Sequence, residues 1–158
     1  MPSMTDILTP AQRSEVMSRI RGRDTKPEMT VRRTLHGLGF RYRLHRRDLP
    51  GKPDIVLTRW KTVVQVNGCF FHGHACPAFR LPSSNREFWQ EKIRRNQARD
   101  EVTAEALRRQ GWRVVTVWEC ALRGPRKIGP GRLADILASV IQGHEIMSAL
   151  VGEPAPED

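Results

Sequence analysis

Apolar positions recur along the chain in two rhythms, and each change of rhythm marks an element. Thr9-Pro10 opens a short helix, because Thr caps and Pro suits a first turn, and this helix runs to about Ile20. After a basic strap from Arg19 to Arg23, Thr25 and Glu28 form a capping box. Val31, Leu35 and Leu38 then lay an apolar stripe on one face of a second helix, which Gly39 ends. Phe40, Tyr42 and Leu44 alternate with Arg41 and Arg43, which predicts a half-buried strand with a basic outer face. Leu49-Pro50-Gly51-Lys52-Pro53 is a rigid turn. Asp54 to Leu57 and Thr62 to Val66 are short strands joined into a hairpin by Thr58-Arg59-Trp60-Lys61.

From Asn67 to Pro82 the chain reads as loop. Ser84 and Glu87 make a second capping box for a long, mostly charged helix from Asn85 to Gln110, with Gly111 as its stop. Trp112 to Trp118 is a β-rich strand, and Leu133, Ile136, Leu137, Val140 and Ile141 describe a final amphipathic helix ended by Gly143. Residues 144–158 read as a flexible acidic tail. This order predicts one α/β domain, a mixed sheet flanked by helices.

Charge changes the picture by naming a partner. Lys and Arg number 27 against 17 Asp and Glu, giving net +10 and pI ≈ 10.7, above the value of about 9 that marks a nucleic-acid footprint. Arginine outnumbers lysine 22 to 5, and a guanidinium grips phosphate through two parallel hydrogen bonds, although a GC-rich genome enriches arginine too. No run of about 18 apolar residues exists, and Met1 to Pro10 has no basic opening followed by an apolar segment. The expectation is a cytoplasmic protein with no membrane partner.

Chemistry concentrates in Gly68-Cys69-Phe70-Phe71-His72-Gly73-His74-Ala75-Cys76. Zinc takes four S or N ligands when structural, and Cys69, His74, Cys76 and the distant Cys120 supply them without leaving a cysteine over, with His72 spare. The alternative is three small buried cysteines and two surface histidines, but Gly, His and Pro make a poor core. A second constellation is Asp54, at the start of one hairpin strand, beside Gln65-Val66-Asn67 at the end of its partner. One carboxylate, a backbone carbonyl and a substrate phosphate can hold Mg²⁺. Read alone, Asp54 is as well explained as a turn residue after Pro53.

The separated motifs Arg13-Ser14-Glu15-Val16-Met17, Arg23-Asp24-Thr25, Leu49-Pro50-Gly51-Lys52-Pro53-Asp54, Gly68-Cys69-Phe70-Phe71-His72, Glu87-Phe88-Trp89-Gln90-Glu91-Lys92-Ile93 and Trp118-Glu119-Cys120-Ala121-Leu122-Arg123-Gly124 resemble, in order, the very short patch repair (Vsr) endonuclease family. The resemblance covers about residues 9 to 130. It implies a restriction-endonuclease-like fold and an enzyme that nicks DNA 5′ to the thymine of a T:G mismatch left by deamination of 5-methylcytosine. It further implies Mg²⁺ at Asp54 and the Val66 carbonyl, His72 near the attacking water, and Glu28 completing the site from its helix, a role compatible with capping. Structural Zn²⁺ falls to Cys69, His74, Cys76 and Cys120. Phe70, Phe71 and Trp89 match an aromatic wedge in one groove, Met17 a side chain entering the other, and core packing is their bland alternative. Residues 1–24 become a DNA-contacting arm and helix, and residues 25–143 the endonuclease domain.

Two departures stand out. The best-known family pattern has a histidine where this chain has Asn67, which can hydrogen-bond near the scissile phosphate but cannot transfer a proton. Gln65 stands where many related nucleases carry an acidic ligand, with an amide oxygen as a weaker substitute. The expected protein is a monomeric Mg²⁺-dependent mismatch endonuclease acting on double-stranded DNA with a T:G mismatch. The alternatives are a nickase or endonuclease without mismatch dependence and a zinc-stabilised DNA-binding module that does not cleave.

Overall fold

The computed structural model describes residues 25–76 and 79–153; the helix expected from Thr9, the basic strap and Met17 lie outside them. Helix α1 (Lys26–Gly37) is capped at Thr25, whose side chain accepts from the Glu28 N–H at 3.3 Å. Gly39, at φ 92, turns the chain out of the helix, and the Phe40 N–H is spent on Leu35 O at 3.0 Å. That bond is why the strand expected from Phe40 shortens to β1 (Arg43–Leu44). Strands β2 (Ile55–Leu57) and β3 (Thr62–Asn67) follow, joined by a tight helical turn at Thr58–Trp60 with Lys61 in left-handed backbone.

One five-stranded sheet results, in chain order. β1, β2 and β3 are antiparallel neighbours, with Arg43 opposite Val56 and Ile55 opposite Val64. Helix α2 (Arg86–Arg109) then carries the chain to β4 (Arg113–Trp118), parallel to β3 with Val64 beside Val115. A parallel pair requires such a crossover. The Ser84–Glu87 box does not cap this helix: Asn85, at φ 54, takes the cap position without a side-chain bond. A short helix, α3 (Glu119–Leu122), and the amphipathic α4 (Pro130–Ile141) complete the helical set among the described residues.

The flexible tail is corrected over residues 144–153. Ala149–Leu150 form β5, parallel to β4, with Leu150 buried and Thr116 N–H bonded to Ser148 O at 2.9 Å. An exposed edge of β4 would leave backbone groups unpaired, and this short strand covers it. Period-two alternation divides the core. Ile55, Leu57, Val64, Val115 and Val117 pack with α1 and α4, whereas Val56, Val63 and Val114 pack with Leu107 near the end of α2 and Trp112 just before β4. With both faces covered, strands read as continuous apolar runs. Among the described residues no helix is long and apolar enough to cross a membrane.

Candidate active site and metal centre

The β2–β3 pairing sets Asp54 beside the end of β3. Its Oδ2 accepts from the Val66 N–H at 2.8 Å, and its own N–H donates to Gln65 Oε1 at 3.2 Å. The Gln65 amide oxygen thus braces the backbone of Asp54 with one of its two lone pairs. From α1 comes Glu28, only 4% exposed, whose Oε2 accepts from Arg32 Nη2 at 2.6 Å. His45 stands between the carboxylates, with Nε2 3.4 Å from Glu28 Oε1 and Nδ1 3.9 Å from Asp54 Oδ1.

Burial pushes the Asp54 carboxyl up to about 6; the Val66 N–H works against that, and the Glu28 carboxylate adds to it. Glu28, His45 and Asp54 each offer an atom within 4.8 Å of the others. Two carboxyl groups at such range repel when both ionise, and a bound cation relieves that repulsion, so the Glu28 and Asp54 carboxylates fit a divalent ion.

Opposite, α2 holds the Gly-His loop. His72 Nδ1 lies 2.5 Å from Asp100 Oδ2, Asn96 Nδ2 donates to Phe71 O at 2.8 Å, and Gln97 Nε2 donates to Gly73 O at 3.2 Å. Asn96 and Asp100 are one helical turn apart, so one face of α2 grips both flanks of the imidazole. A cleft of about 530 Å³ opens between these walls, and Glu28, Asp54, Val66, Asn67 and His72 all line it, with Lys92 and Arg99 at hand. The structure therefore brings together every catalytic residue expected from the sequence.

Cys69, His74, Cys76 and Cys120 gather their ligand atoms within 4.8 Å of one another. His74 Nδ1 lies 3.6 Å from Cys69 Sγ and 3.7 Å from Cys120 Sγ. A tetrahedral zinc with bonds of about 2.3 Å to sulfur and about 2.05 Å to nitrogen separates S from N by about 3.6 Å. Burial pushes the Cys69 thiol up to about 12; the Cys120 backbone N–H works against that, the Cys120 and Cys76 thiols add to it, and burial lowers His74. A neutral imidazole beside a buried Cys69 thiol that resists ionising unaided fits a site that a metal would deprotonate. His74 stacks on Trp118 at 4.1 Å, and the Gly152 N–H donates to Cys120 Sγ at 3.2 Å.

The aromatic residues divide by exposure. Phe70 and Phe71 are half-buried, edge to face with ring centroids 5.0 Å apart. Trp89, expected at the DNA surface, is instead only 3% exposed and forms a floor 5.2 Å from Phe70, because the helix turns it inward against the loop. Sequence reasoning missed His45 and Asp100. Asp100 leaves a faint signal, since it repeats Asn96 at helical spacing. His45 leaves none, because its partners lie 17 positions before and 9 after it.

The DNA mismatch endonuclease Vsr family profile matches residues 5–78. A type II nicking enzyme of Xanthomonas oryzae pv. oryzae, V.XorIIP, is 49% identical over 119 residues, covering 75% of this chain and 88% of that protein. The type II nicking enzyme V.NmeAIP of Neisseria meningitidis is 48% identical over 120 residues, 76% of this chain and 86% of that one. The DNA mismatch endonuclease Vsr of Escherichia coli is 41% identical over 141 residues, 89% of this chain and 90% of its own.

Proposed function

The chain belongs to the DNA mismatch endonuclease Vsr family, and on that premise we propose that it is a monomeric, cytoplasmic, strand-specific endonuclease that nicks 5′ to the thymine of T:G mismatches left by deamination of 5-methylcytosine. The observation that carries this reading is the convergence of Asp54, Val66, Asn67 and His72 on one cleft flanked by Lys92 and Arg99. The Asp54 carboxylate and the Val66 carbonyl would hold Mg²⁺, which when bound supplies positive charge at the phosphate and the leaving oxygen.

The chain's own residues do the rest. Asp100 engages His72 Nδ1, leaving Nε2 to take a proton from the water that attacks phosphorus. The P–O3′ bond breaks, giving 3′-hydroxyl and 5′-phosphate ends. The Asn67 amide can donate to a phosphate oxygen but not protonate the leaving group, so solvent supplies that proton. Lys92 and Arg99 steady neighbouring phosphates.

Cys69, His74, Cys76 and Cys120 would hold Zn²⁺, bracing a loop that carries the wedge and His72 together. Phe70 and Phe71 insert beside the weakly stacked T:G pair from one groove and Met17 from the other. Trp89 backs them as a buried floor, its Nε1 without a hydrogen-bond partner among the described residues. A second reading, a nickase indifferent to mismatches, is favoured by relatives named as nicking enzymes. Single-turnover nicking of T:G and matched duplexes, with and without Mg²⁺, tests all of this. Cutting confined to the T:G strand with Mg²⁺ is expected. Equal cutting of matched DNA would establish the second reading, and binding without cutting would leave a DNA-binding module.

A further inference from the structure

Asp54 is placed by two oxygens with different company. Its Oδ2 is committed to the Val66 N–H at 2.8 Å, whereas Oδ1 faces His45 Nδ1 at 3.9 Å, an electrostatic approach longer than a hydrogen bond. His45 does not drift into this position. Its N–H donates to Asp54 O at 3.2 Å, so the two residues form the next rung beyond the Leu44–Ile55 pair. Its backbone is left-handed, at φ 48, a conformation that histidine enters more readily than most residues.

The imidazole also has a defined orientation. Arg32 Nη2 lies 3.2 Å from His45 Nε2, and a guanidinium can only donate. Nε2 also lies 3.4 Å from Glu28 Oε1, but the shorter, hydrogen-bonded contact is the one from Arg32, so Nε2 is the acceptor and in the neutral ring the hydrogen resides on Nδ1, the atom that faces Asp54. Arg32 also holds Glu28 Oε2 at 2.6 Å. One buried guanidinium thus orients both the neighbouring carboxylate and the ring beside Asp54.

We infer that His45, its tautomer set by Arg32, is a positioning residue that aims the Asp54 carboxylate at the catalytic cation. It does not line the cleft, so it acts through Asp54 and not on the phosphate. The inference rests on Asp54 being the Mg²⁺ ligand. Residues that orient a ligating side chain commonly change metal affinity 10- to 100-fold when removed.

The test is direct binding of Mn²⁺ to the full-length protein, followed by the electron spin resonance of the free ion, alongside Mg²⁺ titration of nicking. His45→Ala is expected to weaken Mn²⁺ binding about 10-fold and raise the half-saturating Mg²⁺ concentration by a similar factor. DNA affinity measured without divalent ions should not move. His45→Asn, whose amide N–H stands near the place of the Nδ1–H, should recover most of the loss and shows that a folded protein was measured. Wild-type Mn²⁺ affinity in His45→Ala, or an Asn variant as weak as the Ala variant, would overturn the inference. Undiminished Mn²⁺ binding by Asp54→Ala would overturn the ligand assignment beneath it instead.

Discussion

The thiol–imidazole cluster and the carboxylate cluster both hold their ligand atoms within 4.8 Å of one another, yet they are built in opposite ways. The first is soft, Cys69, His74, Cys76 and Cys120, and can satisfy a metal completely with protein atoms. Its neighbours reinforce closure, through the Trp118 stack on His74 and the Gly152 N–H on Cys120. The second is hard, with Glu28 and Asp54 against His45 and Arg32, and it opens onto the cleft. It keeps two carboxyl groups close together, and a cation held there would retain positions for water and phosphate. A closed set stabilises a loop, whereas an open and electrostatically uneasy one is suited to recruiting a cation with its substrate.

The comparison breaks most decisively at Asp54. Asp54→Ala is expected to lower single-turnover nicking by about 10³-fold or more, the loss of several kcal/mol of charge stabilisation. T:G duplex binding should stay within a few-fold, since phosphate contacts elsewhere carry most affinity. Substantial Mg²⁺-dependent cutting by this variant would move the active site. His72→Ala should cost about 10²- to 10⁴-fold. Asp100→Asn should cost less and disturb the pH–rate profile, because a neutral amide no longer stabilises the imidazolium that forms when His72 accepts a proton.

The closed site answers to a different perturbation. Elemental analysis should find about one zinc per chain, and Cys120→Ser should remove the metal and lower the melting temperature, because binding is coupled to folding. A metal-free protein that melts as the wild type does would erase the contrast between the two clusters.

The smallest effect sharpens it. Asp54 has a folded-state pKa raised from 3.8 to about 6, so its ionised form destabilises the fold. That loss is absent below about pH 3.8 and complete above about pH 6. Asp54→Asn should therefore be more stable than wild type at pH 7 without divalent ions, by at most about 3 kcal/mol. The gain should vanish near pH 3.5. Melting curves across that range read it, and a pH-independent difference would mean the carboxylate carries no such strain.

Local patterning was legible because it depends on near neighbours. The Val31–Leu35 stripe, the Thr25 cap, the β2–β3 hairpin and the compact Cys69–Cys76 loop follow from spacings of a few residues, and the hairpin alone was enough to bring Asp54 beside Val66 and Asn67. The excess of arginine pointed to a polyanion for the same reason, since charge is additive along the chain. What the sequence could not announce were meetings between distant segments: His45 set between Glu28 and Asp54, Asp100 on His72, Gln65 spent on a backbone N–H, Trp89 turned into a floor, and residues 149–150 covering the edge of β4. Each of these depends on the order of strands and the packing of α1 and α2 against the sheet. Those are decided by burial over the whole core, and no window of the chain contains that information.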